Sequence, residues 1–208
     1  MTTRRAAKPT ARERLLTAAD DLFYREGVRT VGIDRVIEQA GVAKASLYNA
    51  FSGKEALVCA YLEGRHAQSA ARITRHVERG ESPRDRLLAV FEAQSEQFAD
   101  PGYRGCAFVR ASAEAHPGDQ VEQAAEAYRA WIRGLFTDLA REAGVSDPAV
   151  LAHQLHLLYD GGGVSAGMDR DPSAATVARA AAAALLDAAL AGTAPTGADS
   201  NGSSADRS

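Results

Sequence analysis

Between Ala11 and Leu190 apolar side chains recur every three or four residues and almost never alternate, which predicts helices throughout and no strand. Abundant alanine and the near absence of β-branched runs point the same way. A first helix is predicted over 11–26, with Leu15, Ala19, Leu22 and Phe23 on one face and Gly27 to close it. Two short helices over 33–40 and 44–51 flank Gly41. Ser52 and Glu55 have capping-box spacing and predict a long helix that continues to about Arg79. Ser82-Pro83, Asp147-Pro148 and Asp171-Pro172 place a cap residue before a proline, opening helices from Pro83 to near Asp100, over 149–168 and over 173–190. Two more are predicted over 106–115 and from Val121 to just before Gly144. The fold class is all-α.

With 208 residues, two folded units are the ceiling. The predicted organisation is a basic arm over 1–10, a compact head over 11–54, a larger helical body over 55–191 and a polar tail over 192–208, with arm and tail expected to be disordered. The net charge of −3 hides a segregation. Residues 1–54 carry 10 Lys/Arg against 6 Asp/Glu, and the remainder carries 14 against 21. The head is therefore basic and the body acidic. Apolar runs such as Ala180 to Leu186 are too short to span a membrane, and the charged N-terminus lacks an apolar segment behind it. Cys59 and Cys106 are too few to staple the fold or to build a four-thiolate metal site. A cytoplasmic protein without a membrane partner is expected.

Gly41 between two short amphipathic helices has the spacing of a helix-turn-helix. In the second of these, Val42, Leu47 and Phe51 can pack inward, while Lys44, Ala45, Ser46, Tyr48 and Asn49 leave a slim polar face that suits a DNA major groove. Arg4, Arg5 and Lys8 in the arm can reach phosphates or the minor groove.

The segment Thr30 to Leu57, TVGIDRVIEQAGVAKASLYNAFSGKEAL, resembles the DNA-binding segment of tetracycline-repressor (TetR) family regulators. The resemblance rests on the ordered set Phe23, Gly27, Thr30, Ile33, Ala40-Gly41-Val42, Leu47-Tyr48, Phe51 and Lys54-Glu55-Ala56-Leu57. Gly105-Cys106-Ala107-Phe108 and Leu157-Leu158-Tyr159-Asp160-Gly161 resemble one C-terminal subgroup of that family. Two positions depart from its commoner pattern: Ala43 stands where a capping serine is usual, and Ile37 where a small alanine is usual. The resemblance implies an N-terminal three-helix DNA-binding domain followed by a helical ligand-binding and dimerisation bundle. It implies that Lys44 to Asn49 face the groove, that Tyr48 and Lys54 touch phosphates, and that Thr30 donates to the DNA backbone.

Phe91, Phe98, Phe108, Tyr128, Trp131 and Tyr159 are spread along the body at helical spacing, where such residues are core in the first instance. The resemblance adds a small-molecule pocket, for which Phe91, Phe108, Tyr128 and Trp131 are candidate walls and His66, Gln94, Arg110 and Glu114 candidate polar contacts. The last two helices form a hairpin. Leu155, Tyr159, Gly163, Gly167 and Leu185 make the stripe expected to pair with a second copy in a four-helix bundle. One recognition helix reads too few bases to define a site, so a homodimer on a palindromic double-stranded DNA operator is expected, with half-sites one helical turn apart. A small-molecule effector is expected to shift the 52–79 helix and the spacing of the two heads.

Other chemistry has weaker support. Gly161-Gly162-Gly163-Val164-Ser165-Ala166 fits a loose dinucleotide fingerprint but follows a predicted helix instead of a strand, so close helix packing is the better reading. His153, His156 and Asp160 lack a further ligand to complete a metal set. No Gly-x-Ser-x-Gly elbow is present. Neither an enzyme nor a cofactor or metal is expected.

Overall fold

The computed structural model describes residues 8–192. Arg4 and Arg5 of the arm and the tail beyond Gly192 lie outside the described residues. Among the described residues there are nine helices and no strand: α1 (Ala11–Glu26), α2 (Ile33–Ala40), α3 (Lys44–Ala50), α4 (Lys54–Val77), α5 (Pro83–Phe98), α6 (Ala107–Glu114), α7 (Gln120–Glu142), α8 (Pro148–Asp169) and α9 (Ala174–Ala191).

Side-chain caps set several of the starts. Thr10 Oγ1 accepts the N–H of Glu13, and the Thr10 N–H donates to Glu13 Oε2 at 2.7 Å, a complete capping box that holds the Glu13 carboxyl below the usual range. Ser82, Asp119 and Asp147 accept the amides of Asp85, Glu122 and Val150 in the same way. Two predicted caps resolve differently. Ser52 and Glu55 form no capping box: α4 starts after Gly53, which has no side chain to offer, and it ends at Val77 instead of near Arg79. The Glu55 carboxylate accepts the Gln120 N–H at 3.2 Å, so it adds to the Asp119 cap at the start of α7, 65 residues away. Asp171 likewise binds the Ser173 amide and hydroxyl, and α9 begins without a side-chain cap.

Helices α1, α2 and α3 pack together as the head, and α4 runs from it into the body, where it lies against α5 and α7. The pairs α7–α8, α8–α9 and α5–α9 complete the bundle, with α6 lodged against α7 and α4. One continuous buried cluster extends from Leu15, Phe23 and Leu47 in the head, through Leu57, Tyr61 and Leu62 of α4, to Phe91, Phe136, Leu155 and Leu186 in the body. Phe98, Ala166 and Ala175 form a smaller second cluster with Tyr103 packed on it.

Helix α9 corrects one sequence expectation. At 18 residues and a mean hydropathy of 1.5 it is long and apolar enough, by length and composition, to cross a membrane. Here it packs in the bundle through Ala175, Ala178, Ala182 and Leu186, while its Arg179 and Asp187 pair with Glu92 and Arg84 of α5. The two cysteines, Cys59 and Cys106, are both half-buried and free.

Candidate nucleic-acid interface and effector chamber

The turn between α2 and α3 closes on Gly41, whose φ of 61° is left-handed and suits glycine. The Gly41 N–H donates to the carbonyls of Ile37 and Glu38, and its own carbonyl accepts from Arg14 Nη1 at 3.0 Å. Helix α1 thus pins the turn. Ala43 caps α3 with its backbone only, and the half-buried Ile37 packs on the core. Leu47 and Phe51 anchor α3 inward, and the Arg12 guanidinium lies 5.2 Å from the centre of the Phe51 ring.

Four of the predicted groove-facing residues, Lys44, Ala45, Tyr48 and Asn49, are exposed, and Ser46 is half-buried. Tyr48 is 53% exposed, a large ring with no packing duty. Thr30 is exposed in the turn before α2. Lys44 Nζ stands 2.9 Å from Asp34 Oδ1, and this hydrogen-bonded carboxylate raises the ammonium pKa. Lys54 is more withdrawn. Its Nζ donates to the Arg29 carbonyl at 3.3 Å, and burial lowers its pKa against the opposing pull of Glu114. Arg12, Arg14 and Asp34 went unassigned in the sequence reading. The basic excess of the head was the available signal for the two arginines, but only the fold brings them against Phe51 and Gly41.

The head also rests on the body through α6. The Tyr24 hydroxyl donates to the Gly105 carbonyl at 3.0 Å and accepts the Arg104 N–H at 2.9 Å. Arg65 of α4 covers the Tyr24 ring at 3.9 Å while it pairs with Asp20 of α1. Glu114, at the end of α6, accepts the Arg29 N–H and lies so close to Gly27 that an added Cβ would stand 2.8 Å from its Oε1.

Inside the body, Gln94, Phe108 and Tyr128 line a narrow, partly open chamber of about 30 Å³ together with Ser69, Tyr103 and Tyr159. That is room for a water or two. The other candidate pocket residues stand elsewhere, Glu114 among them on the Arg29 amide. Phe91 is fully buried against Phe136, His66 packs on the rings of Tyr128 and Trp131, Trp131 is not in the chamber wall, and Arg110 donates to the Tyr24 carbonyl. Burial pushes the Tyr128 hydroxyl up to about 12 and lowers the His66 pKa. Beside the chamber, an open groove of about 360 Å³ runs between α6, α7 and α8. Among the described residues no group of three or more His, Cys, Asp or Glu is placed to hold a metal ion.

A family profile described as "Bacterial regulatory proteins, tetR family" matches residues 15–61, the span from α1 into α4. The chain is 34% identical to SCO4454, a TetR-family transcriptional regulator from Streptomyces coelicolor, with a TM-score of 0.81 over 86% of this chain and 95% of that one. The chain belongs to the TetR family. A TetR-type regulator structure from Streptomyces avermitilis is 35% identical, with a TM-score of 0.77 over 88% of this chain and 99% of the other. The HTH-type transcriptional repressor NemR of Escherichia coli is 36% identical over 105 residues, which is 50% of this chain and 53% of NemR, so that match spans about half the length of the repressor.

In this TetR-family chain the predicted pairing stripe of α8 turns inward. Leu155 is fully buried, Tyr159 bonds the Tyr128 hydroxyl at 3.0 Å, and the Gly163 carbonyl accepts from Tyr103. Gly167 meets the backbone of Gly105, where an added Cβ would stand 2.9 Å from its Cα. Leu185 of α9 is half-buried. The apolar residues that do face outward are Val150, Leu157, Val164 and Met168 of α8 and Val177 of α9. Helix α8 is apolar on both sides, so periodicity alone does not choose between its two stripes. The Gly161 to Ala166 run lies within α8 without a break, and Gly162 sits against Ala178 of α9.

Proposed function

We propose that this chain is a homodimeric DNA-binding repressor that a small-molecule effector releases from a palindromic operator. The observation that carries the reading is the outer face of α3, where Lys44, Tyr48 and Asn49 stand exposed on a head of net positive charge. A helix with that face, held by Leu47 and Phe51 beneath it, fits the major groove, while Thr30, Arg12 and Lys54 approach the flanking phosphates. The exposed stripe of Leu157, Val164, Met168 and Val177 supports pairing of two copies, because contiguous apolar surface of this kind is usually covered. Gel shifts on DNA flanking its own gene, in a salt series, test the reading. Loss of binding on Tyr48→Ala together with a sedimentation mass of two chains supports it, and a monomer indifferent to that DNA overturns it.

For release, the Arg29 peptide is the point where effector and operator would meet. Its carbonyl is held from α4 by Lys54 and its N–H from α6 by Glu114. A ligand that shifts either helix would tilt the head, and coupling of about 1 to 3 kcal/mol changes operator affinity by roughly 5- to 150-fold.

A second reading is favoured by the chamber itself. At about 30 Å³ it is smaller than any effector, which is what a ligand-independent regulator with a merely packed aromatic core would have. Thermal-shift screening separates the two: stabilisation by no compound favours this second reading.

A further inference from the structure

The chamber and the groove share a wall. Cys106, Phe108, Tyr128 and Asp160 line both. Phe108 lies flat on Tyr128, with ring centres 3.8 Å apart and planes within 5°, so one aromatic thickness separates the open groove from the narrow chamber. On the chamber side Gln94 is 3% exposed. Its Nε2 donates to the Tyr159 carbonyl at 2.8 Å, and its Oε1 has no hydrogen-bond partner. Gly162 lies beside that oxygen, where an added Cβ would come into ordinary contact with it at 3.6 Å. The charged groups around the chamber are already engaged: Arg65 with Asp20, Arg72 with Gln97 and the Ala93 carbonyl, and Arg129 with Asp160.

We propose that the groove between α6, α7 and α8 admits a planar, uncharged aromatic molecule with an N–H or O–H on its rim, which replaces the Phe108 ring on Tyr128 and donates to Gln94 Oε1. This deepens the effector reading and rests on it. The ligand is flat because the slot it takes over is one ring thick and already walled by the Tyr128 face. It is uncharged because no unpaired side-chain charge meets it, and a buried ion without a partner is disfavoured. It is a donor because the waiting atom is an amide oxygen with no other bond. Phe108 has somewhere to go, since the groove outside α6 is large enough to receive its ring.

Titration calorimetry of the full chain with indole and with 1-methylindole tests the assignment. The two probes share a ring system and differ in the N–H. Indole is expected to bind about fivefold to tenfold more tightly, the gain of one hydrogen bond, and Gln94→Met is expected to erase that difference. Phe108→Ala, which empties the slot in advance, is expected to tighten indole binding. No indole binding at millimolar concentration, equal binding of both probes, or a difference that persists in Gln94→Met overturns the proposal. If the Gln94 variant does not fold, the two probes on the unaltered chain still decide it. The effector reading fails separately: indole that binds with the Gln94 signature yet leaves operator affinity unchanged retains the site and removes the release mechanism. Conversely, a compound that releases DNA and binds Gln94→Met unimpaired retains release and removes this site.

Discussion

The Arg29 N–H donates to Glu114 Oε2 at 2.6 Å, joining residues 85 positions apart and tying the α1–α2 turn to the last residue of α6. The same carboxylate would have to shift to admit a side chain at Gly27, whose φ of 93° and ψ of 150° already belong to a region that only glycine occupies freely. Gly27→Ala should therefore cost about 1–3 kcal/mol in urea denaturation. A cost within about 0.5 kcal/mol would show that the turn relaxes without strain.

At the surface proposed to face DNA, Lys44 and Asp34 should act in opposite directions. Lys44→Ala removes a cation and should lower the slope of log affinity against log salt by about 1. Asp34→Asn frees the same ammonium from its carboxylate and should tighten binding, because a phosphate no longer competes with Asp34 for it. Affinities measured across a salt series check both signs, and weaker binding by Asp34→Asn would show that the carboxylate positions Lys44 usefully.

Tyr48 separates function from stability. Because its ring is 53% exposed, Tyr48→Ala should move stability by less than about 0.5 kcal/mol while operator affinity falls severalfold. Equal losses in both measurements would assign the ring to packing.

The two stripes of α8 should respond differently to substitution. Leu157→Arg, on the outward stripe at 59% exposure, should yield a folded monomer in sedimentation with weakened operator binding. Leu155→Ala, fully buried, should cost about 2–5 kcal/mol of stability. A dimer that survives Leu157→Arg would move the pairing surface elsewhere.

Burial lowers the pKa of His66, and also that of His156, where the attraction of Asp160 opposes burial and is itself offset by Arg129 and Arg133. A base whose pKa is depressed on folding takes up protons more readily in the unfolded chain, so stability rises with pH in that range. The contribution is fully present above the unfolded value of about 6.5 and is lost as pH falls from there towards the depressed folded values. Denaturation midpoints between pH 8 and 5 should show this decline, and His66→Phe should flatten it. A flat profile in the unaltered chain contradicts the burial argument.

Much of the fold was legible because the punctuation is local. Gly27, Gly41 and Ser82-Pro83 each act within one helical turn, and those boundaries fall where the residues put them. Glu55 misled because its partner is tertiary: nothing near Ser52 announces that its carboxylate is engaged by the Gln120 amide. The exposed face of α3 was readable because polar and apolar positions separate cleanly along that helix. The chamber wall and the outward apolar stripe of α8 were not. Phe91 and Phe108 have the same chemistry in sequence, and only the packing sends one against Phe136 and the other onto Tyr128. Leu155 and Leu157 are likewise equivalent until α7 and α9 cover one side of α8.

The buried cluster that passes without a gap from Leu15 and Phe23 into Leu57, Tyr61 and Leu62 has a practical consequence for anyone who would graft this reader onto another sensor. The ring of Tyr61 sits edge-on to Phe23 at 5.7 Å, so a splice made just after Lys54 would strip the borrowed module of its own floor. The seam of a working chimaera belongs beyond Leu62.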